Sequence, residues 1–249
     1  MQTTKTLRLD KALCDMGYGT RSEVKKMITQ GRVKIDGTTV RSSDQKVDLT
    51  ASVLSVDGAE VFYNMYEYRM LNKPAGVISA TEDPRQKTVL DLVKGSGVRK
   101  NLAPVGRLDI DTEGLLLLTN DGTLAHQMLS PKKHVPKTYF VRLDGSVGSE
   151  VIRGMEAGMQ IDDADGSFTA LPAQIQTTDL DTEAYITIYE GKYHQVKRMF
   201  AAFGLTVKYL KRMTMGSLAL DASLAPGESR LLTSEEINRL KAEVNHEHF

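Results

Sequence analysis

The sequence predicts an α+β protein in two parts: a small basic module, then a larger domain built on a mainly antiparallel sheet. Two observations carry this. Short strand-like and helix-like runs alternate without a βαβ rhythm after about residue 62. Charge is also unevenly distributed: the 249 residues balance 32 Lys or Arg against 32 Asp or Glu, yet residues 1 to 46 hold ten basic side chains and five acidic ones. At 41% hydrophobic and 26% charged residues the chain can bury a real core. No apolar run approaches the ~18 residues of a membrane span, and the polar start lacks the apolar core of a signal peptide. A single cysteine, Cys14, excludes an intramolecular disulfide and a cysteine metal cluster. Five histidines, among them His194, His246 and His248, show no zinc-binding spacing. A cytoplasmic protein without metal is expected.

In the first part, Leu9, Ala12, Leu13 and Met16 recur at helical spacing and Gly17 supplies a stop. Thr20 and Glu23 fit a capping box that opens a second helix with Val24, Met27 and Ile28 on its apolar face. Residues 32 to 40 alternate about Asp36-Gly37, a hairpin signal. Arg21 and Lys25 share a helix face, and Arg32 and Lys34 a strand face. With Arg8 and Lys26 they form a cation cluster suited to a phosphate backbone, or simply a solvated face. Residues 51 to 66 read as a connection ending in FYNMYEY (62–68), and the boundary is expected near residue 60, giving parts 1–58 and 62–249.

In the second part, YRMLNKPAGVIS reads as a strand entering a bend, TVLDLV as a short helix, and GLLLLT as a buried strand closed by an Asn120-Asp121-Gly122 turn. TLAHQMLS follows as a helix, and KTYFVRLDG, EAYITIYEG and LTVKYLKRM as strands. QVKRMFAAFG is a helix, apolar at Val196, Met199, Phe200 and Phe203, and Thr233 to Glu236 cap a last charged helix.

Three places hold more polarity than folding requires. Gly106 to Gly114 sets Asp109, Asp111 and Glu113 on a loop before the four-leucine strand: a catalytic loop or an acidic surface turn. Lys132, Lys133 and Lys137 lead to Tyr139, which suits base stacking beside phosphate or plain sheet packing. From Gly191 to Arg212 six cations, including Lys197 and Arg198, occur with no acid between them. Cations at a helix start are not favoured by its dipole, so RNA phosphate or a buried carboxylate is the expected partner.

Together these segments resemble known families. RLDKAL…TRSEVKKMITQGRVKIDG is similar to the S4-type RNA-binding module. NKPAGVISAT, PVGRLDIDTEGLLLLTNDG, KTYFV and EGKYHQVKRMFAAFG resemble, in order, the motifs of bacterial ribosomal-RNA pseudouridine synthases with an N-terminal S4 module. EGKYHQVKRM looks most like the small-subunit, 16S branch, with the 23S branch and a non-catalytic S4-type assembly factor as alternatives. The resemblance implies an S4 domain of the α-L type, a pseudouridine synthase domain, a ribosomal RNA partner, no membrane, a monomer and no cofactor. It assigns the catalytic carboxylate to Asp109, with Asp111 and Asp121 as competitors, the opposing cation to Lys197, and stacking on an everted uridine to Tyr139. It makes Lys73 and Arg107 phosphate contacts or supports of the Asp109 loop, and Leu218 part of the pocket wall. RNA contacts are thus expected at Arg8, Arg21, Lys25, Lys26, Arg32, Lys34, Lys73, Arg107, Lys132, Lys133, Lys137 and Arg198.

Overall fold

The computed structural model describes residues 6–49, 51–61, 66–93 and 101–245. Part of the FYNMYEY segment (62–65), His246 and His248 lie outside them. The chain forms two compact units, residues 1–67 with 93–102, and residues 68–92 with 103–249. Among the described residues no helix is long and apolar enough to cross a membrane.

The first unit contains β1 (Thr6–Arg8), α1 (Leu9–Asp15), α2 (Arg21–Thr29), β2 (Val33–Ile35), β3 (Thr38–Thr39), β4 (Lys46–Asp48), β5 (Leu54–Val56) and β6 (Ala59–Val61). The Thr20–Glu23 capping box forms as the sequence indicates, and Asp36 and Gly37 take positive φ in the hairpin turn. Leu9, Leu13, Val24, Ile28 and Val33 are fully buried in its core. Arg8 pairs with Asp10 at 2.8 Å and Arg32 with Asp57 at 2.6 Å. Arg21, Lys25, Lys26 and Lys34 are exposed and have no ion-pair partner among the described residues, so of the six RNA contacts expected in this unit these four are the available cations.

The second unit runs β7 (Tyr68–Lys73), a 3-10 turn (Val89–Leu92), β8 (Ala103–Pro104), β9 (Glu113–Thr119), α3 (Gly122–Leu129), a 3-10 turn (Pro131–Lys133), β10 (Lys137–Leu143) and α4 (Ser149–Ala157). It continues through β11 (Met159–Asp163), β12 (Gly166–Ala170), β13 (Gln174–Thr177), β14 (Glu183–Ile188), α5 (Gln195–Ala201), β15 (Val207–Met215), β16 (Leu218–Ala219), β17 (Ser229–Leu231) and α6 (Ser234–Asn245). The central sheet is ordered β13-β14-β10-β15-β9-β7-β17, with β8 and β16 appended. Leu115 to Leu118 of β9 are all at 0% exposure. Four consecutive buried leucines require both sheet faces to be covered, and each contributes roughly 2 kcal/mol of burial. Leu115 and Leu117 pack in one cluster with Leu124 and Met128 of α3 and Leu240 and Val244 of α6.

Two expectations change here. Asp121 is not a plain turn residue: its carboxylate caps α3 by accepting from the Leu124 amide at 3.1 Å, and it also accepts from the Tyr68 hydroxyl at 2.7 Å. It lines neither pocket beside Asp109. Leu218 packs in the α3–α6 cluster and lines neither pocket beside Asp109; Leu210 stands in the pocket wall instead.

Candidate active site

The site follows from one irregularity of the sheet. The named strands of this sheet pair antiparallel, except β9 with β15, which run parallel through Lys211↔Glu113 and Arg212↔Gly114. Parallel neighbours begin at the same sheet edge, so the segment before β9 meets the segment before β15. The first carries Asp109 and Asp111; the second carries His194 and Lys197 on and before α5. Gly114 makes the contact possible. Its φ is +98°, and a Cβ there would strike the Arg212 carbonyl oxygen and stand 2.8 Å from the Arg212 amide nitrogen.

The bend after β7 braces the acidic loop. Lys73, at 0% exposure, donates from Nζ to the carbonyls of Thr112 at 2.8 Å, Asp109 at 3.0 Å and Pro74 at 3.1 Å, with Ile110 at 3.4 Å. The Gly76 amide donates to the Ile110 carbonyl at 2.7 Å. The Ser79 hydroxyl donates to the Leu108 carbonyl and accepts from the Leu108 amide, at 2.9 and 3.0 Å. Burial pushes the Lys73 ammonium down to about 8, against the pull of Asp111, Asp109 and Glu113. Lys73 is therefore a loop anchor and no phosphate contact: its charge lies inside, fully hydrogen-bonded to backbone.

Held this way, Asp109 stands with one carboxylate oxygen 3.0 Å from Lys197 Nζ and the other 3.5 Å from His194 Nε2. Lys197 also donates to Asp111 at 2.6 Å. Burial acts to lower the Lys197 pKa, but hydrogen bonds and charge from Asp111 and Asp109 outweigh it and raise it above the usual lysine value. Burial likewise opposes ionisation of Asp111, and Lys197 overcomes it, leaving that carboxyl below its usual range. Asp111 is 67% exposed and Asp109 only 28%, so Asp109 is the sheltered member of the pair. Asp111 lines neither pocket.

Asp109 sits where two depressions meet. A small pocket of about 70 Å³ is lined by Asp109, Thr112, Tyr139, Ile188, Lys197 and Leu210. A wider cleft of about 650 Å³, a size that admits a nucleotide, includes Ile78, Arg107, Asp109, Lys137, Tyr193 and His194. Sequence reasoning brought Asp109, Tyr139 and Lys197 together, and they do line one pocket. It missed Tyr193, His194 and Leu210 as lining residues, though Tyr193 and His194 lie inside the quoted EGKYHQVKRM segment.

The basic residues divide. Arg107 is exposed at the cleft, and Lys132 is exposed with Lys133 half-buried on the adjoining 3-10 turn. Lys137 is buried on β10, donates to the Val135 carbonyl at 2.8 Å, and is pushed down to about 8 by burial and by Arg212. It belongs to the cleft lining, not to a basic surface. Arg198 is a correction. It is only 8% exposed, chelates Asp163 at 2.8 and 2.9 Å, bonds the Gly166 carbonyl and lies over the Phe168 ring. It clasps the β11–β12 hairpin to α5, with Nε and Nη2 committed to Asp163 and Gly166; of the two partners expected for it a carboxylate is present, though on the exposed Asp163 and not a buried one. Among the described residues, no group of three or more His, Cys, Asp or Glu is arranged to hold a metal ion.

Residues 67–202 match the family model of RNA pseudouridylate synthase and residues 7–53 that of the S4 domain. The chain is 51% identical over 237 residues to the "Uncharacterized RNA pseudouridine synthase YtzG" of Bacillus subtilis (strain 168), covering 94% of this chain and 98% of that one. It is 40% identical over 231 residues to "Ribosomal small subunit pseudouridine synthase A" of Vibrio cholerae, covering 93% and 98%. A crystal structure of a pseudouridylate synthase superposes with a TM-score of 0.66 at 37% identity, over 94% of this chain and 99% of that one. With an S4 module ahead of a sheet that gathers a sheltered aspartate, a lysine and a tyrosine, the chain belongs to the RNA pseudouridylate synthase family and is a pseudouridine synthase.

Proposed function

We propose that the protein isomerises a uridine of ribosomal RNA, in the 16S RNA of the small subunit, to pseudouridine, with Asp109 as the catalytic carboxylate. The reaction breaks the N1–C1′ bond, turns the uracil and joins C5 to C1′. C5 loses a proton and N1 gains one, so atoms and electrons balance without a cofactor. The carboxylate of Asp109 captures the developing positive charge at C1′ covalently, or removes the proton from C2′. Lys197 holds it in place by the ion pair, and the ring of Tyr139 stacks on the everted uracil and helps the C5 proton depart. The single observation that carries this reading is the 3.0 Å contact of Lys197 with Asp109 at the mouth of the pocket lined by Tyr139. The 16S assignment is supported by the extent of likeness to relatives named for the small subunit. The exposed cations of the S4 unit, with Arg107 and Lys132, supply salt-dependent affinity for RNA. Asp109→Asn is expected to preserve fold and RNA binding and to abolish pseudouridine formation, read by carbodiimide-dependent reverse-transcription stops on 16S and 23S fragments. Normal turnover by the variant refutes the role of Asp109; stops confined to 23S RNA refute the small-subunit substrate.

A further inference from the structure

Beside the catalytic acid lies an aromatic pair that the reaction chemistry does not use. Tyr193 is 55% exposed, and its ring stacks on that of His194 with centroids 3.8 Å apart and planes 24° from parallel. His194 is held in the left-handed region at φ +47° and begins α5, its carbonyl accepting from the Arg198 amide at 3.0 Å. A non-glycine residue persists there only where its surroundings fix it. Its Nε2 lies 3.5 Å from Asp109 Oδ1, so the pair has a fixed relation to the reacting carboxylate. Tyr193 lines the wide cleft and not the small pocket of Tyr139 and Leu210. One of its ring faces is occupied by His194, and its hydroxyl has no hydrogen-bond partner among the described residues.

We propose that the free face of Tyr193 is the stacking platform for the nucleobase next to the target uridine in the RNA chain. The inference rests on the reading of Asp109 as the catalytic group. Everting one uridine unstacks its neighbour, which then exposes a π-face that an adjacent aromatic ring can cover. The target base goes to the Tyr139 pocket, so an aromatic ring that lines the adjoining cleft and not that pocket meets the flanking nucleotide. Exposed Arg107 in the same cleft suits the phosphate between the two. An open tyrosine face reads stacking and not base edges, so this contact contributes affinity with little preference among bases.

The test compares Tyr193→Ala and Tyr193→Phe on a 16S fragment that the wild-type protein converts. The alanine variant is expected to raise KM about tenfold, equal to about 1.4 kcal/mol of lost binding, with kcat within about threefold of wild type. The phenylalanine variant, which keeps the ring, stays within about twofold of wild type in both constants. A 2-aminopurine placed beside the target uridine is quenched by wild type and Tyr193→Phe and not by Tyr193→Ala. A Tyr193→Ala variant that keeps KM and quenching, or that loses kcat instead of KM, overturns the platform. Failure of the wild type to form pseudouridine on any fragment is a different result, since it removes the reading of Asp109 and not the stacking contact alone.

Discussion

Lys73→Met replaces the ammonium that ties the acidic loop with an apolar side chain of similar length. The wild-type group donates to three carbonyls at 2.8 to 3.1 Å, each worth about 1.5 kcal/mol or more because the donor is charged. Methionine fills most of the volume, so the cavity contribution is small, and the loss is that of the charged donor: the Thr112 and Pro74 carbonyls lose the Lys73 hydrogen bond, and the Asp109 carbonyl keeps only the Thr112 amide at 3.1 Å. The expected destabilisation is about 4 kcal/mol, in line with removing one partner from a buried charged network. Urea unfolding followed by circular dichroism reads this as a lower midpoint. Two of the three carbonyls belong to Asp109 and Thr112, so the damage is concentrated where the acid is placed. At a temperature where the variant is still folded, kcat is expected to fall about a hundredfold, the scale of a 1 Å misplacement. A variant within about 0.5 kcal/mol of wild type and fully active refutes the anchoring role.

Gly114→Ala forces a Cβ into the Arg212 backbone at a positive φ; we expect destabilisation of about 3 kcal/mol or more, checked by thermal unfolding, whereas Gly122→Ala, with open space around it, stays near wild type. Lys73 and Lys137 both lie near a pKa of about 8 in the folded protein, below the ~10.4 of an unfolded lysine. Between these values the unfolded chain binds more protons, so this part of the stability rises with pH from about 8 to about 10. Urea midpoints at pH 7.5, 8.5 and 9.5 check it, and Lys137→Met removes about half of the rise.

Much of this was legible because its signals are local. The Thr20–Glu23 and Thr233–Glu236 pairs cap their helices within four residues, and the leucines of β9 announce a doubly covered strand. The residues that sequence misplaced depend on distant partners. Arg198 resembles a surface cation until Asp163, on another element, is known to sit against it. Lys73 is hidden because backbone carbonyls, which no composition reveals, replace water around its charge. Helix α4 has no side-chain cap at Gly148, so the usual opening signal is missing. Asp121 lies in an Asn-Asp-Gly triplet typical of turns, and only the following helix and Tyr68 turn it into a cap.

The side-by-side, same-direction pairing of β9 and β15 also sets an order of events in biosynthesis. Asp111 and Lys197 are 86 residues apart in the chain, and four of the central strands, β9, β10, β13 and β14, are made between them. A nascent polypeptide therefore displays its acid long before the amine that confines it exists, and the two meet only when β15 slots in between β10 and β9. The meeting of acid and amine thus arrives late, with the closing of the sheet, and a chain that stops short of residue 207 holds every piece of the acidic loop without the strand that pairs with β9 beside it.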